Sequence, residues 1–364
     1  MKIEGRPYRT IWPTADGVAV EVIDQTQLPH RFATRRIGDV EEAFAAIATM
    51  VVRGAPLIGA TAAYGLALAL RRDSTDAGLD GAHRRLIKAR PTAVNLRHAL
   101  DDVRAHVVRL PMSERADAAW ARAAAICEED VENCRLIGEA GLPLIADIYR
   151  RARRPVNILT HCNAGWLATV DWGTATAPIY MAHDRGVPVH VFVDETRPRN
   201  QGAALTAFEL GQHGVPHTII VDNAGGHLMQ HGRIDMAIVG ADRVTARGDA
   251  ANKIGTYLKA LAAKANGVPF YVALPQTTID WTIEDGVTGI EIEERDSGEV
   301  LYMTGRLENG GVARFAIAAP GSPALNPAFD VTPAELITGL ITDRGLCAAT
   351  RDGLAGLFPE RRAA

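Results

Sequence analysis

The stretch NILTHCNAG, Asn157–Gly165, carries a short aliphatic run straight into a His, a Cys, an Asn and a glycine-bearing turn. Extended back to Val156, the run reads VNILT and is entered through Pro155. Four further apolar, β-rich runs follow at Val187–Val193, Thr218–Val221, Met236–Val239 and Phe270–Leu274, with Pro188, Pro216 and Pro269 at or near their entrances. Helix-compatible segments such as Ala203–His213 and Asn252–Lys264 lie between them. Continuous apolar strands alternating with helices specify a parallel sheet covered on both faces. The second half of the chain is therefore expected to be an open, doubly wound α/β domain. The pattern does not specify strand order.

The first half has another rhythm. Short strands are expected at Tyr8–Trp12, Val18–Asp24 and Phe32–Arg36, the first two joined through the Asp16-Gly17 turn. From Asp39 the apolar spacing becomes helical. It predicts helices over Val40–Val52 (capped by Asp39), from Pro56 through GATAAYGLALAL, over about Ala93–Arg109, and over Glu114–Glu132 with Ser113 as cap. The expected division is 1–133, a small sheet with a helical bundle, and 134–364, the α/β domain.

The 364 residues are 47% apolar and 23% charged, an ordinary globular composition with room for two domains. A net charge of −4 without a basic stripe argues against a nucleic-acid partner. No apolar run approaches membrane-spanning length and the N-terminus lacks a signal core, so neither membrane nor export is expected. Cys127, Cys134, Cys162 and Cys347 form no C-x-x-C pair, which indicates neither a zinc site nor a disulfide framework and suits a reducing cytoplasm.

In open α/β sheets ligands bind beyond the carboxyl ends of the strands. Those ends carry His161, Cys162 and Asn163; Asp194, Glu195 and Thr196; Asp222 and Asn223; Asp242 and Arg243; and Pro275, Gln276 and Thr277. No G-x-G-x-x-G or Walker A loop is present, which disfavours a dinucleotide or nucleoside triphosphate. An anion needs glycine backbones, helix N-termini and cations. VVRGAPLIGA offers Arg53, Gly54 and a helix opened by Pro56; GDAANKIG offers Asp249 as a cap with Asn252 and Lys253 in the first turn. The same residues also fit close helix packing and a solvated lysine. Cys162 fits a small buried apolar residue, or a thiolate favoured by a helix starting nearby. Asp242 fits a cap or a partner for Arg243, or, if partly buried, a protonated acid. His161 fits a satisfied structural histidine or a base.

Several longer motifs are more specific: RGAPLIGATAAYGLAL, ARPTAVNL, NILTHCNAGWLAT, VDETRPRNQGAALTAFEL, VGADRVTARGDAANKIGTY, PFYVALPQTTID and NPAFDVTP. Together they resemble the methylthioribose-1-phosphate isomerase family over essentially the whole chain. The wider superfamily includes regulatory subunits of translation initiation factor two-B and ribose-1,5-bisphosphate isomerases. The resemblance implies a Rossmann-like C-terminal domain, a homodimer, no cofactor and no metal. It implies conversion of 5-methylthioribose 1-phosphate to 5-methylthioribulose 1-phosphate in methionine salvage. The catalytic pair would be Cys162 and Asp242, with Arg53, Gly54, Ala55, Arg90, Gln201, Asn252 and Lys253 holding the sugar phosphate. Alternatives are an isomerase of 5-deoxyribose 1-phosphate or ribose 1,5-bisphosphate, and a non-catalytic regulatory subunit. Two segments depart from the family pattern, DSTDAGLDGAHRR and LYMTGRLENGGVARFAIAAPGSPAL. The second bears on the shape of a loop near the site.

Overall fold

The computed structural model describes residues 1–90 and 94–361. The chain opens with a two-stranded ribbon, β1 (Lys2–Ile3) and β2 (Arg6–Pro7), and an antiparallel three-stranded sheet of β3 (Ile11–Pro13), β4 (Val20–Ile23) and β5 (Thr34–Ile37). Five helices follow: α1 (Val40–Ala48), α2 (Ala55–Leu70), α3 (Asp76–Ile87), α4 (Val94–Val107) and α5 (Met112–Ala152). Asp39 caps α1 as expected, accepting from the Glu42 amide, but the helix stops at Ala48, because Met50 takes a left-handed φ of 61°. α2 is apolar all round because it is buried on every side among α1, α3, α4 and α5. The segment DSTDAGLDGAHRR forms most of α3, capped by Thr75. α4 lies within the expected 93–109 helix; Ala93 itself falls outside the described residues.

The expected helix Glu114–Glu132 proves to be the first half of a 41-residue helix. It starts after Pro111, with no cap from Ser113, and passes through residue 133. Pro143 is accommodated inside it. Gly138 and Gly141 let α6 (Ala177–Asp184) dock closely, since a Cβ on Gly141 would stand 2.5 Å from Pro178 Cγ. Of three apolar cores, two meet along α5. One gathers residues from Ile11 to Cys127 with Val170; the other takes in Ile3, Ile23 and Leu28, joins this helix at Ile137 and lies under the second half of the chain.

That second half is built on β6 (Val156–Thr160), β7 (Val189–Asp194), β8 (His217–Ile220), β9 (Met236–Val239), β12 (Phe270–Ala273), β17 (Gly339–Thr342) and β18 (Gly345–Cys347). Their order is β18-β17-β12-β9-β6-β7-β8, parallel except for β18. Helices α7 (Ala207–His213), α8 (Ala224–Gln230) and α9 (Thr256–Ala265) connect them. The five expected strands are all present, because each buries apolar side chains on both faces except the edge strand β8. Between β9 and β12 the chain makes β10 (Arg243–Thr245) and β11 (Ala250–Lys253), which join β13 (Ile279–Asp280) and β16 (Phe329–Thr332) in a second sheet ordered β13-β10-β11-β16. A separate hairpin, β14 (Tyr302–Arg306) and β15 (Val312–Ala316), accounts for the divergent LYMTGRLENGGVARFAIAAPGSPAL segment. No helix among the described residues is long and apolar enough to cross a membrane.

Candidate active site

The direction of strand addition reverses between β6 and β9: from β6 the chain builds outward through β7 and β8, then returns to place β9 on the other side of β6. At such a switch point the two connections part and leave a crevice beyond the strand ends. Cys162 leaves β6 into that crevice and Asp242 leaves β9 into it.

Cys162 adopts φ 67°, a left-handed turn that a non-glycine residue holds only when its surroundings enforce it. Here the Cys162 amide donates to Thr196 Oγ1 (2.9 Å), and its carbonyl accepts from Thr206 Oγ1 (2.7 Å). The thiol is 6% exposed. No long helix begins beside it: a three-residue 3₁₀ turn, Trp166–Ala168, precedes α6. The expected helix-dipole support for a thiolate is therefore missing. Burial pushes the thiol up, Arg53 and Lys253 pull it down, and the Asp242 carboxylate pushes it up again. These opposed effects put Cys162, Arg53, Lys253 and Asp242 within mutual electrostatic range.

Asn252 and Lys253 do not lie in a first helical turn. They end β11, which pairs with β10 and β16, and α9 starts only after Gly255. Nor does Asp249 cap a helix at this point; its carboxylate binds the amides of Gly286 and Ala334 and fastens the second sheet. The physical reason is the antiparallel pairing of β11, which the AANK composition does not advertise. Lys253 is 8% exposed, and its ammonium lies 4.5 Å from the centre of the Phe329 ring with no anion paired to it among the described residues. Burial pulls its pKa down while Cys162 and Asp242 pull it up. The Asn252 amide is turned to Thr256 Oγ1 (3.0 Å).

Arg53 is aimed by Asn163, whose side-chain oxygen accepts from one guanidinium nitrogen and whose carbonyl accepts from the other at 2.9 Å. Asn163 in turn donates to Thr206 Oγ1 and to Glu209 Oε1, both at 3.2 Å. The chain quoted at the outset thus places the thiol and the support of a cationic gripper on adjacent residues. Gly54 follows with φ 91°, where a Cβ would stand 2.3 Å from the Ala168 carbonyl oxygen. Ala55 then opens α2, whose N-terminus has no side-chain cap, leaving backbone N–H groups for an anion.

Two hollows meet these groups. Arg53 and Gln201 line a cavity of about 980 Å³ bounded by Gln25, Met50, Arg199 and the β14–β15 hairpin. The Gln201 side-chain oxygen is buried without a partner among the described residues. Ala55, Arg90 and Asp242 line a small, largely apolar hollow with Ile58, Ile290 and Phe329. Arg90 stands 3.7 Å from Glu293; burial pulls its pKa down, and Asp242 and Glu293 raise it. The structure thus brings Cys162, Asp242, Arg53, Arg90 and Lys253 into one field, with Gly54, Ala55 and Gln201 on its walls. Thr206 and Glu293 join them unannounced, and Asn163 and Thr196, known only as strand-end residues, acquire supporting roles. Asn163 stood among the strand-end residues, but its role depends on Arg53, which is 110 positions away in sequence.

An open parallel sheet with a cation-lined crevice at its switch point defines a protein that handles a small anionic ligand. The model of the initiation factor 2 subunit family matches residues 51–349. A methylthioribose-1-phosphate isomerase of Methylorubrum populi is 66% identical over 364 residues, 100% of both chains. The crystal structure of 5-methylthioribose 1-phosphate isomerase from Pyrococcus horikoshii OT3 superposes with a TM-score of 0.84 at 40% identity, covering 98% of this chain and 97% of that one. Translation initiation factor eIF-2B, subunit delta, from A. fulgidus superposes with a TM-score of 0.80 at 36% identity, covering 97% and 100%. The chain belongs to the initiation factor 2 subunit family and, within it, to the methylthioribose-1-phosphate isomerase family.

Proposed function

We propose that the protein isomerises 5-methylthioribose 1-phosphate to 5-methylthioribulose 1-phosphate, with Cys162 and Asp242 as catalytic residues. Full-length identity supports the reaction class. The observation that carries the site is the buried Lys253, in no ion pair among the described residues, within electrostatic range of Cys162 and Asp242. A buried ammonium without an anion is costly in the resting protein and is compensated when a phosphate arrives. Arg53, Arg90, Lys253 and the α2 N-terminus form the cradle for that phosphate; Gln201 and Asn252 complete the sugar's surroundings.

The anomeric oxygen of this substrate is esterified, so its ring cannot open by losing an anomeric proton. The ring oxygen must instead leave with a proton, for which Asp242 in its acid form, not the carboxylate, would be the donor. As the bond from C1 to the ring oxygen breaks, C1 becomes electron-poor; hydrogen moves to it from C2 with its electron pair, and the C2 hydroxyl returns a proton to the Asp242 carboxylate as it becomes the ketone. Burial keeps the Cys162 thiol protonated, and a phosphate seated on Arg53 and Lys253 offsets the two charges that pull the other way. This favours direct hydrogen migration from C2 to C1 with the thiol as a polar support, over abstraction by a thiolate. The active form is inferred to be a homodimer, which sedimentation equilibrium measures.

Purified protein assayed separately against 5-methylthioribose 1-phosphate, 5-deoxyribose 1-phosphate and ribose 1,5-bisphosphate tests the reading. Preferred turnover of the first supports it. Turnover of none removes the catalytic reading and leaves a regulatory subunit, the reading favoured by the A. fulgidus likeness.

A further inference from the structure

Beneath Cys162 lies a buried charge cluster that the proposed chemistry does not use. His161 is fully buried; its Nε2 faces the Ile254 carbonyl oxygen at 2.8 Å and its Nδ1 faces Asp194 Oδ2 at 2.8 Å. A carbonyl only accepts, so Nε2 carries a hydrogen. Lys259, itself 4% exposed, places its ammonium 3.2 Å from the same Asp194 oxygen, so that burial, which raises the Asp194 carboxyl, is opposed by His161 and Lys259 together. Asp222 lies 4.0 Å from Nδ1, but its two oxygens accept the Thr196 and Arg197 amides, both at 2.7 Å.

His161, Asp194 and Asp222 bring their ligand atoms within 4.8 Å of one another, a spacing that suits a metal ion. The chemistry does not suit one. Both imidazole nitrogens already have hydrogen-bond partners, and the Lys259 ammonium lies against the Asp194 oxygen nearest the ring, leaving the other Asp194 oxygen buried without a partner among the described residues.

What the cluster does is join two segments. His161 precedes Cys162 on the β6 side, and Ile254 follows Lys253 on the β11 side. The Asp194 carbonyl accepts from Thr196 Oγ1 (2.9 Å), the same hydroxyl that holds the Cys162 amide. Gly255, at φ 101°, leaves the imidazole its space, since a Cβ there would stand 3.1 Å from His161 Cε1. We propose that His161, held by Asp194 and Lys259, is a positioning residue: it struts the turn carrying Cys162 against the strand end carrying Lys253 and fixes the distance from thiol to phosphate cradle. The proposal rests on Cys162 being catalytic.

The test is steady-state turnover of 5-methylthioribose 1-phosphate by the full chain carrying His161→Gln, Cys162→Ser and both. His161→Gln is expected to lower kcat by roughly 10–100-fold, the effect of an ångström-scale misplacement. KM should stay within about threefold, because Arg53 and Arg90 keep their own supports. In the Cys162→Ser background the same substitution should cost less than about twofold, since a strut for an absent thiol has nothing to place. Equal losses in both backgrounds, or a loss confined to KM, overturn the strut. Wild-type turnover by Cys162→Ser overturns the catalytic reading and the strut with it, and only that failure leaves the serine variant active. If His161→Gln does not fold, Lys259→Met, which keeps the apolar stem and removes the charge, is put through the same comparison with the same expected pattern. One equivalent of Zn²⁺ retained through gel filtration by the wild type, and lost by the variant, overturns the proposal in favour of a metal site.

Discussion

At the scale of single residues, the site sets charges against burial. On the proposed mechanism Asp242→Asn would remove the proton for the ring oxygen and Cys162→Ser the polar support; each is expected to lower kcat by about 10²–10⁴-fold with unchanged thermal unfolding. Lys253→Met keeps the stem over Phe329 but deletes the charge, so KM should rise about tenfold or more while the folded protein gains stability from losing a buried unpaired ammonium. Paired steady-state and denaturation measurements check both halves of that statement. The hydrogen route is open to direct test. Substrate deuterated at C2 should give product that keeps the label at C1 in ordinary water, read by NMR; washout to solvent would restore Cys162 as a base. The positions of the thiol, the Asp242 carboxyl and Arg53 and Lys253 are legible from strand ends and glycines, whereas their roles, and the places of Arg90 and Gln201, come from the family resemblance alone. The state of the thiol is not legible. It depends on how much of the chain covers it, and no local spacing records that.

At the scale of elements, legibility followed burial. β6 and β9 were read with their observed bounds because strands buried on both faces are continuous apolar runs. β11 was misread as a helix start because AANK is held by pairing with β16, some eighty residues later, and its own residues have helical propensity. From sequence α5 ends too early because Pro143 and two glycines interrupt the pattern, although Gly138 and Gly141 are explained by α6 packed on them. The join between elements is where the fold makes the site. Gly54 must hold φ 91° for Arg53 to leave the N-terminus of α2 towards Asn163. At φ 91° and ψ 134° Gly54 lies where glycine alone goes freely, so Gly54→Ala adds backbone strain of about 1–3 kcal/mol and overlap with the Ala168 backbone. It should lower the denaturant midpoint measurably and raise KM together with it, because the loop can relieve the overlap only by moving Arg53.

At the scale of the whole molecule, two of the apolar cores each enclose a buried acid that forms no ion pair among the described residues. Asp130, on α5, accepts the Val170 amide at 2.7 Å and is pushed by burial from its ordinary 3.8 up to about 7. Glu209, on α7, accepts the Leu167 amide at 3.1 Å and is pushed by burial from 4.5 up to about 8, with that amide and Arg53 opposing. Gly165 is obligatory beside it, for a Cβ there would stand 1.2 Å from the Glu209 carboxylate. Each of these acids holds its proton in the folded state after the unfolded chain has released it. Below the unfolded pKa both states are protonated and pH has no leverage. Between the unfolded and folded values the folded state binds the extra proton, so stability falls as pH rises, by about 1.4 kcal/mol per pH unit for each such group. Above the folded value both states are ionised and the loss is complete. Denaturant unfolding of the wild type should therefore show stability declining from about pH 5 towards pH 8. In Glu209→Gln, which cannot ionise, that decline should be shallower by one group's share up to about pH 8 and parallel to the wild type beyond it. Parallel curves throughout the window would mean that Glu209 is ionised in the folded protein and that Arg53 reaches it through Asn163 more strongly than burial opposes it.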